Sequence, residues 1–252
     1  MIRLDTSGPI AAIRLVRPAT RNALDAEGWR ALAAAIRGVA ASEARVLLLR
    51  SDAPGAFCAG SDLGELAGLA DDARARPPFR KMMRDAIDAL PRLEIPTIAV
   101  IDGDCFGAGV ALALGCDLRV AGERARIAVT PAKLGISYPR EDVERLVDAV
   151  GHGQAARLLF AAETIDSTEA ARIGLVQLAC ASAEARAVEI AGRIAENSKA
   201  SVATLKALIA GVDRARHELH DQSFDDSFGG SDFRDRLAAF YSRRKGGRSG
   251  PP

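Results

Sequence analysis

The stretch IDGDCFGAGVALALGCDL, residues 101–118, constrains the fold of this 252-residue chain more than any other segment. It begins at the end of the apolar run PTIAVID (96–102), which is of the kind found in strands, passes through Gly107 and Gly109, and continues with apolar residues at helical spacing. No charged residue lies between Asp104 and Asp117. Glycine adopts backbone conformations closed to other residues and lets the backbone come close to a ligand. The stretch therefore predicts a strand that turns sharply into an apolar helix.

A second junction of this kind occurs earlier, in SDAPGAFCAGSDLGEL at residues 51–66, directly after the apolar run RVLLLRS. The start of a helix leaves backbone N–H groups unpaired and carries a partial positive charge. Two such junctions side by side on one sheet can direct two N–H donors at one oxygen, which is the geometry of an oxyanion hole. From spacing alone, tight turns that serve only packing remain the alternative.

Short β-rich runs alternate with longer helical patterns, which favours an α/β core with parallel crossovers. The runs that predict strands are 10–16, 45–51, 96–102, 117–121, 126–130 and 175–180. Helical spacing predicts helices over 25–42 and 79–93, the first with Asp25 as its N-cap. We expect the core to span 1–180, followed by a helical region over 181–252.

Composition limits the class of function. The chain is 48% hydrophobic and 27% charged with a net charge of +1, which predicts no nucleic-acid partner. It has no run of the roughly 20 apolar residues that a membrane span needs and no secretory signal pattern, so we expect a cytoplasmic protein with no membrane partner. The cysteines, which are Cys58, Cys105, Cys116 and Cys180, lack disulfide-framework and metal-site spacing, so we expect reduced thiols and no metal site.

Four segments occur in the order and spacing of one known family: RPATRNALD, AFCAGSDL, IDGDCFGAGVALALGCDLRVA and TEAARIGLV. On these motifs the chain resembles the crotonase, or enoyl-CoA hydratase/isomerase, superfamily over essentially its whole length. The resemblance implies a spiral of ββα units with a C-terminal helical trimerisation region. It also implies an acyl-CoA thioester as substrate, a homotrimer or dimer of trimers, and no cofactor apart from the coenzyme A of the substrate.

The resemblance also implies roles for individual residues. The thioester carbonyl would accept hydrogen bonds from the backbone N–H groups of Ser61 and Ala108. Ala108 stands where the family commonly has glycine, and the N–H is kept provided that the position does not require a positive φ. The residues expected near coenzyme A are Arg21, Ala23, Ala59, Asp62, Leu63 and, in the C-terminal tail, Phe240.

The two glutamates typical of the hydratases are missing, because the corresponding positions hold Ala111 and Pro131. General acid–base groups each contribute about 10²–10⁴ in rate, so we expect no ordinary syn hydration. The segment TPAKLGISYPRED resembles that of methylmalonyl-CoA decarboxylase-like members, which makes Tyr138 the first candidate for a polar catalytic group. Glu141, ahead of its neighbour Asp142, is the second candidate, as a base, although acids in the first turn of a helix are also explained by the helix dipole.

Two reactions and one non-catalytic function therefore remain open. Malonyl-type decarboxylation comes first because loss of CO₂ needs no strong base. Double-bond isomerisation with one carboxylate, such as Glu141, comes second. A non-catalytic acyl-CoA-binding protein is the alternative from another class. The charged, proline-broken segment 71–81 predicts an exposed loop, which would cover the acyl end.

Overall fold

The computed structural model describes residues 1–211 and 231–246. Contacts divide the chain into a first unit, Met1–Glu196, and a second unit, Asn197–Pro252. The strands of the first unit are β1 (Ile2–Asp5), β2 (Ile10–Leu15), β3 (Val46–Ser51), β4 (Ala56–Cys58), β5 (Thr97–Ile101), β6 (Asp104–Phe106), β7 (Leu118–Gly122), β8 (Arg126–Ala128), β9 (Ile165–Asp166) and β10 (Leu178–Cys180).

The helices of the first unit are α1 (Ala26–Ala40), α2 (Leu63–Asp71), α3 (Arg76–Ile87), α4 (Ala108–Leu114), α5 (Arg140–Ala161), α6 (Ser167–Arg172) and α7 (Ala183–Glu196). Asp25 caps α1, as predicted, because its side chain accepts a hydrogen bond from the Gly28 N–H at 2.8 Å. Helix α5 is interrupted at Gly151, where φ is +75°. Short 3₁₀ turns at Pro18–Thr20 and Pro131–Leu134 complete the first unit.

Within the described residues, six strands form a sheet in the order β1-β2-β3-β5-β7-β10. Its neighbours are parallel except for β1 and β2. The central strands are apolar on both faces, as expected of a parallel sheet covered on both sides. Helix α7 buries Ala183, Ala187 and Ala191 among the Val46, Leu48 and Ile98 side chains of one face.

Four further strands of the described chain form a second sheet in the order β4-β6-β8-β9. Strands β4, β6 and β8 are parallel, and β9 is antiparallel to β8. Parallel neighbours end at the same edge of a sheet. The chain segments that follow β4, β6 and β8 therefore leave side by side, which brings the two glycine junctions together.

The structure differs from the sequence-based expectations in three respects. Strands β4 and β6, within the glycine junctions, were not predicted, because three residues are too few to show a strand period. The loop predicted over 71–81 is largely helical: α2 ends at Asp71, α3 begins at Arg76, and the prolines of α3 lie in its first turn, where their missing N–H groups cost no hydrogen bond. The first unit extends to Glu196 because α7 packs on the sheet, whereas the sequence suggested a boundary after residue 180.

The second unit contains helices α8 (Lys199–Ile209) and α9 (Ser231–Gly246). Both helices lie in the region 181–252, which was predicted to be helical. Phe240, which was predicted to approach coenzyme A, falls within α9, and its side chain lies outside the described part of the chain. In residues 1–211 and 231–246 no helix combines the length and the hydropathy required to cross a membrane.

Candidate active site

A cavity of about 740 Å³ opens at the ends of β4, β6 and β8. It is built from the two glycine junctions, the loop before α1, the first two turns of α3 with Met83, the first turn of α5, and the segment between β8 and α5. Its lining includes five of the residues expected near coenzyme A, namely Arg21, Ala23, Ala59, Asp62 and Leu63. Ser61, Ala108 and Tyr138 line the same cavity.

The first junction depends on Gly60, whose φ is +99°. A Cβ at this position would lie 2.8 Å from the Phe106 carbonyl oxygen and 3.1 Å from the Ala108 nitrogen. Gly60 is therefore required both for its positive φ and for the close approach of the second junction. Because Ser61 directly follows Gly60, the Ser61 and Ala108 backbones lie next to each other.

The second junction places two glycines around Ala108. Gly107 has a φ of +52° and precedes the first residue of α4, and a Cβ on Gly109 would lie only 2.3 Å from the Cys58 carbonyl oxygen. The positive φ falls on Gly107, and Ala108 is not among the non-glycine residues with positive φ. Alanine is therefore compatible with this position, and the glycine spacing of the sequence has a physical reason.

Within the described residues, the backbone N–H groups of Ser61 and Ala108 are unpaired. Among the residues that the structure describes, neither donates a hydrogen bond to another protein group. Both residues are half-buried and line the cavity. Ala108 is the first residue of helix α4, where the N–H has no intrahelical acceptor and the helix dipole is positive. Two adjacent donors in this setting can stabilise one oxyanion.

The loop before α1 is fixed by Asn22, a buried residue with φ of +59°. Its side-chain amide donates to the Phe57 carbonyl at 2.9 Å and to the Ser51 hydroxyl at 2.7 Å, while its oxygen accepts from the Arg17 N–H at 2.7 Å. Asparagine tolerates the left-handed region better than most residues. This network ties the loop, and with it Arg21, to the start of the first junction.

Asp62 and Arg21 are held by protein groups. Asp62 caps α2 by accepting from the Gly64 N–H at 2.9 Å, and its other oxygen lies 3.5 Å from Arg17. Arg21 pairs with the buried Asp104 and lies over the Phe106 ring at 5.7 Å. Asp62 thus has a structural role at the edge of the cavity.

Tyr138 lies beside the second junction. Its hydroxyl donates to the Gly107 carbonyl oxygen at 2.9 Å, so its single proton is already used. Burial and the nearby Asp142 carboxylate raise the pKa of Tyr138 well above its ordinary value, while the Ala111 N–H opposes this shift. The phenol is therefore protonated at neutral pH.

The acidic residue of α5 that lines the cavity is Asp142 and not its neighbour Glu141, which was predicted first from the sequence. The side chain of Glu141 is 43% exposed, lies 3.5 Å from Arg140 and is not part of the lining. Asp142 is fully buried, and its Oδ1 lies 2.5 Å from Arg84. The reason is helical periodicity, because Asp142 lies one turn before the buried Leu146 and Glu141 does not.

Two further positions bear on catalysis. Ala111 is fully buried in α4, and Pro131 lines the cavity. Neither side chain can transfer a proton. Cys58 is buried, donates to the Asn22 carbonyl at 3.2 Å, and has its pKa raised to about 12 by burial, so it is not an activated nucleophile.

Comparison with known proteins identifies the family to which this site belongs. A sequence model described as "Enoyl-CoA hydratase/isomerase" matches residues 5–246. The chain belongs to the enoyl-CoA hydratase/isomerase family. Its resemblance to this family is thereby confirmed, and the chain is an enzyme of the family.

Individual members of the family align with this chain over most of their length. The chain is 32% identical to "Probable enoyl-CoA hydratase 2, mitochondrial" of Arabidopsis thaliana, over 94% of this chain and 80% of the relative. It is 30% identical to the short-chain-enoyl-CoA hydratase of Clostridium acetobutylicum, over 96% and 95% of the two chains. A crystal structure of an enoyl-CoA hydratase/isomerase family protein from Hyphomonas neptunium superposes with a TM-score of 0.90 and 35% identity, over 96% of this chain and 95% of that one. The predicted crotonase fold is confirmed.

From the sequence Asp142 ranked behind Glu141, although a signal that favours Asp142 was present. In PREDVERLVDAV the apolar face of the helix contains Leu146, and the residue four positions earlier is Asp142. An acid on the apolar face of a helix is unusual and indicates a buried, partnered or functional group. Its main partner, Arg84, is 58 positions away in sequence, so the pairing itself could not be predicted.

Proposed function

We propose that this enzyme binds an acyl-CoA thioester with the carbonyl oxygen between the N–H groups of Ser61 and Ala108, and stabilises the enolate formed from it. The single observation that carries this proposal is the pair of adjacent, unpaired N–H donors in the cavity. Donors fixed in place before the reaction stabilise a developing oxyanion, and loss of one typically costs about 10²–10³ in rate.

The proposed reaction does not rely on the pair of glutamates that is typical of hydratases. The side chains at the two relevant positions, Ala111 and Pro131, cannot activate water or donate a proton. General acid–base groups contribute about 10²–10⁴ each, although effects of groups that act together do not simply multiply. We therefore expect slow or no hydration of a simple enoyl thioester.

Among reactions of a thioester enolate, a shift of a double bond along the acyl chain fits this cavity best. The shift needs one group that takes up and returns a proton, and the cavity contains the buried carboxyl group of Asp142. Decarboxylation of a malonyl-type thioester is the second candidate. It is favoured by Arg80 and Lys133, which line the cavity and have no ion-pair partner within the described residues. Decarboxylation is disfavoured because the Tyr138 hydroxyl already donates its proton to the Gly107 carbonyl oxygen.

For the remainder of the substrate, we propose that Arg21, Ala23, Ala59, Asp62 and Leu63 contact coenzyme A at the entrance of the cavity. All five line the cavity: Ala59, Asp62 and Leu63 lie in the first glycine junction, and Arg21 and Ala23 lie in the loop before α1, which supports this proposal. Phe240, a homotrimer or dimer of trimers, a cytoplasmic location and independence of any added cofactor remain predictions of the family resemblance.

The proposal is tested by offering the purified enzyme three thioesters: crotonyl-CoA for hydration, 3-hexenoyl-CoA for isomerisation and methylmalonyl-CoA for decarboxylation. Binding of each is measured separately by calorimetry. We expect 3-hexenoyl-CoA to be converted to the conjugated 2-enoyl thioester, with little hydration of crotonyl-CoA despite binding. Rapid hydration of crotonyl-CoA, or binding without turnover of all three, would contradict the proposal.

A further inference from the structure

Two acidic side chains line the cavity within the described residues, and they differ in how their oxygens are used. Both oxygens of Asp62 have partners, since one caps α2 and the other lies near Arg17. Asp142 accepts from Arg84 at 2.5 Å and from Arg145 at 3.4 Å, but through the same atom, Oδ1. Its Oδ2 is buried and has no hydrogen-bond partner in the part of the chain that the structure describes.

An unpaired, buried carboxylate oxygen is unfavourable for folding, because the oxygen loses its water without gaining a donor. Buried polar groups without partners are rare, and a strained or catalytic role is one of the few explanations for them. Here the oxygen belongs to a residue that lines the cavity, and its charge acts on Tyr138 beside the second junction.

We infer that Asp142 is the catalytic residue that removes and returns the proton in this cavity, and that the substrates are acyl-CoA thioesters with an uncharged acyl chain. This inference rests on the proposed function, because a carboxylate removes a proton next to a thioester only where the resulting enolate is stabilised. An ionised Asp142 would also repel a second carboxylate on the acyl chain, which argues against malonyl-type substrates.

The step balances without any further reactant. The Asp142 carboxylate takes a proton from the carbon next to the thioester carbonyl, and the electron pair of that C–H bond forms the enolate. The negative charge moves to the carbonyl oxygen, where the Ser61 and Ala108 N–H groups stabilise it. In a 3-enoyl thioester the protonated Asp142 then returns the proton to the fourth carbon. The double bond has moved, and the carboxylate is restored.

The charged groups around Asp142 set its proton affinity. Arg84 from α3 and Arg145 from α5 face its Oδ1, Asp88 lies beyond both arginines, and Tyr138 is nearby. Burial raises the pKa of Asp142, and the Arg84 hydrogen bond and charge partly oppose this shift. A higher pKa makes the carboxylate a stronger base. Proton exchange should therefore decline as the pH falls through this raised pKa, since the protonated carboxyl cannot accept a proton.

The inference is tested by the exchange of the α-protons of butyryl-CoA with D₂O, followed by mass spectrometry. Asp142→Asn keeps the size of the side chain and an acceptor for Arg84 but cannot carry the proton, so we expect exchange to fall about 10²–10⁴-fold with butyryl-CoA binding retained. Glu144→Gln, an exposed acid on the same helix, is the matched control and should change exchange less than twofold.

Each outcome separates this inference from the proposed function. Wild-type exchange in Asp142→Asn, or loss of exchange in Glu141→Gln, would overturn the role of Asp142. If Ala108→Pro abolishes exchange in the same experiment, the proposed function still stands. An absence of exchange in the unmodified enzyme would count against both. An Asp142→Asn variant that does not unfold cooperatively is not correctly folded, and the pH dependence of exchange in the unmodified enzyme is then the test. A decline of the exchange rate at a pH above the ordinary carboxyl range supports the role of Asp142, and a rate that does not change with pH contradicts it.

Discussion

The cavity has two sides that are built on different principles. The amide side consists of Gly60, Ser61, Gly107 and Ala108, and its proposed chemistry is carried by backbone N–H groups. The acid side consists of Tyr138 and Asp142, with Arg84, which is not part of the lining, bound to Asp142, and its proposed chemistry is carried by side chains.

The difference explains what sequence change each side can tolerate. On the amide side the backbone conformation matters, so alanine replaces a glycine that the family commonly has at position 108 without loss of the donor. On the acid side the residue types decide which proton can move. We infer that the amide side keeps the thioester chemistry common to the family, whereas the acid side selects the reaction.

The largest effect is expected from Arg84→Gln, which removes the cation between Asp142 and Asp88. Removal of one partner from a buried ion pair typically costs about 3–5 kcal/mol of unfolding free energy. Without Arg84 the pKa of Asp142 should rise further above its unfolded value, so the defect should shrink as the pH is lowered and Asp142 becomes protonated.

Chemical denaturation of Arg84→Gln at neutral and acidic pH measures this effect. Arg140→Gln is the control, because Arg140 is exposed and pairs only with surface acids, and it should change stability by less than about 0.5 kcal/mol. Equal losses in the two variants would show that the acid side is no more than a surface ion pair.

The next effect is specific to the amide side. Ala108→Pro removes one N–H from the first position of α4, where proline is well tolerated in helices. Turnover of 3-hexenoyl-CoA should fall about 10²–10³-fold. Ala108→Gly keeps the N–H and should stay within a few-fold of the unmodified enzyme. Matching melting temperatures for the two variants would attribute the loss to the donor, and equal activity in both would refute the role of the Ala108 N–H.

The smallest effect is expected from Ser61→Ala. The proposed function uses the Ser61 backbone N–H, which alanine retains, so turnover should change less than about threefold. Steady-state kinetics with 3-hexenoyl-CoA checks this expectation. A loss of turnover comparable to that of Ala108→Pro would mean that the Ser61 hydroxyl takes part in the reaction. The function of the amide side would then not depend on backbone N–H groups alone.

The two sides also differ in how far they could be predicted from sequence. Gly60 and Gly107 mark positions of positive φ, and such positions leave a direct signal in the residue type. The neighbouring strands β4 and β6 left no such signal because each is only three residues long. The proximity of the two junctions was expected from the family motifs, but the pairing of β4 with β6 that brings them together was not predicted.

The acid side was predicted less well. Tyr138 was placed in the cavity by its motif, but its hydrogen bond to Gly107 depends on tertiary structure. Of two adjacent acids, Glu141 was predicted ahead of Asp142, although the helical period puts Asp142 on the buried face with Leu146. The contact with Arg84 joins α3 to α5, and α3 includes residues that had been assigned to an exposed loop.

The central claim is that the amide side polarises the thioester carbonyl and the acid side moves the proton. The most direct measurement is the ¹³C NMR shift of the carbonyl carbon in labelled butyryl-CoA bound to the enzyme. We predict a downfield shift in the unmodified enzyme and in Asp142→Asn, and its loss in Ala108→Pro. A carbonyl shift equal to that of free butyryl-CoA in the unmodified enzyme, or one that Asp142→Asn removes as fully as Ala108→Pro does, would contradict the division of roles between the two sides.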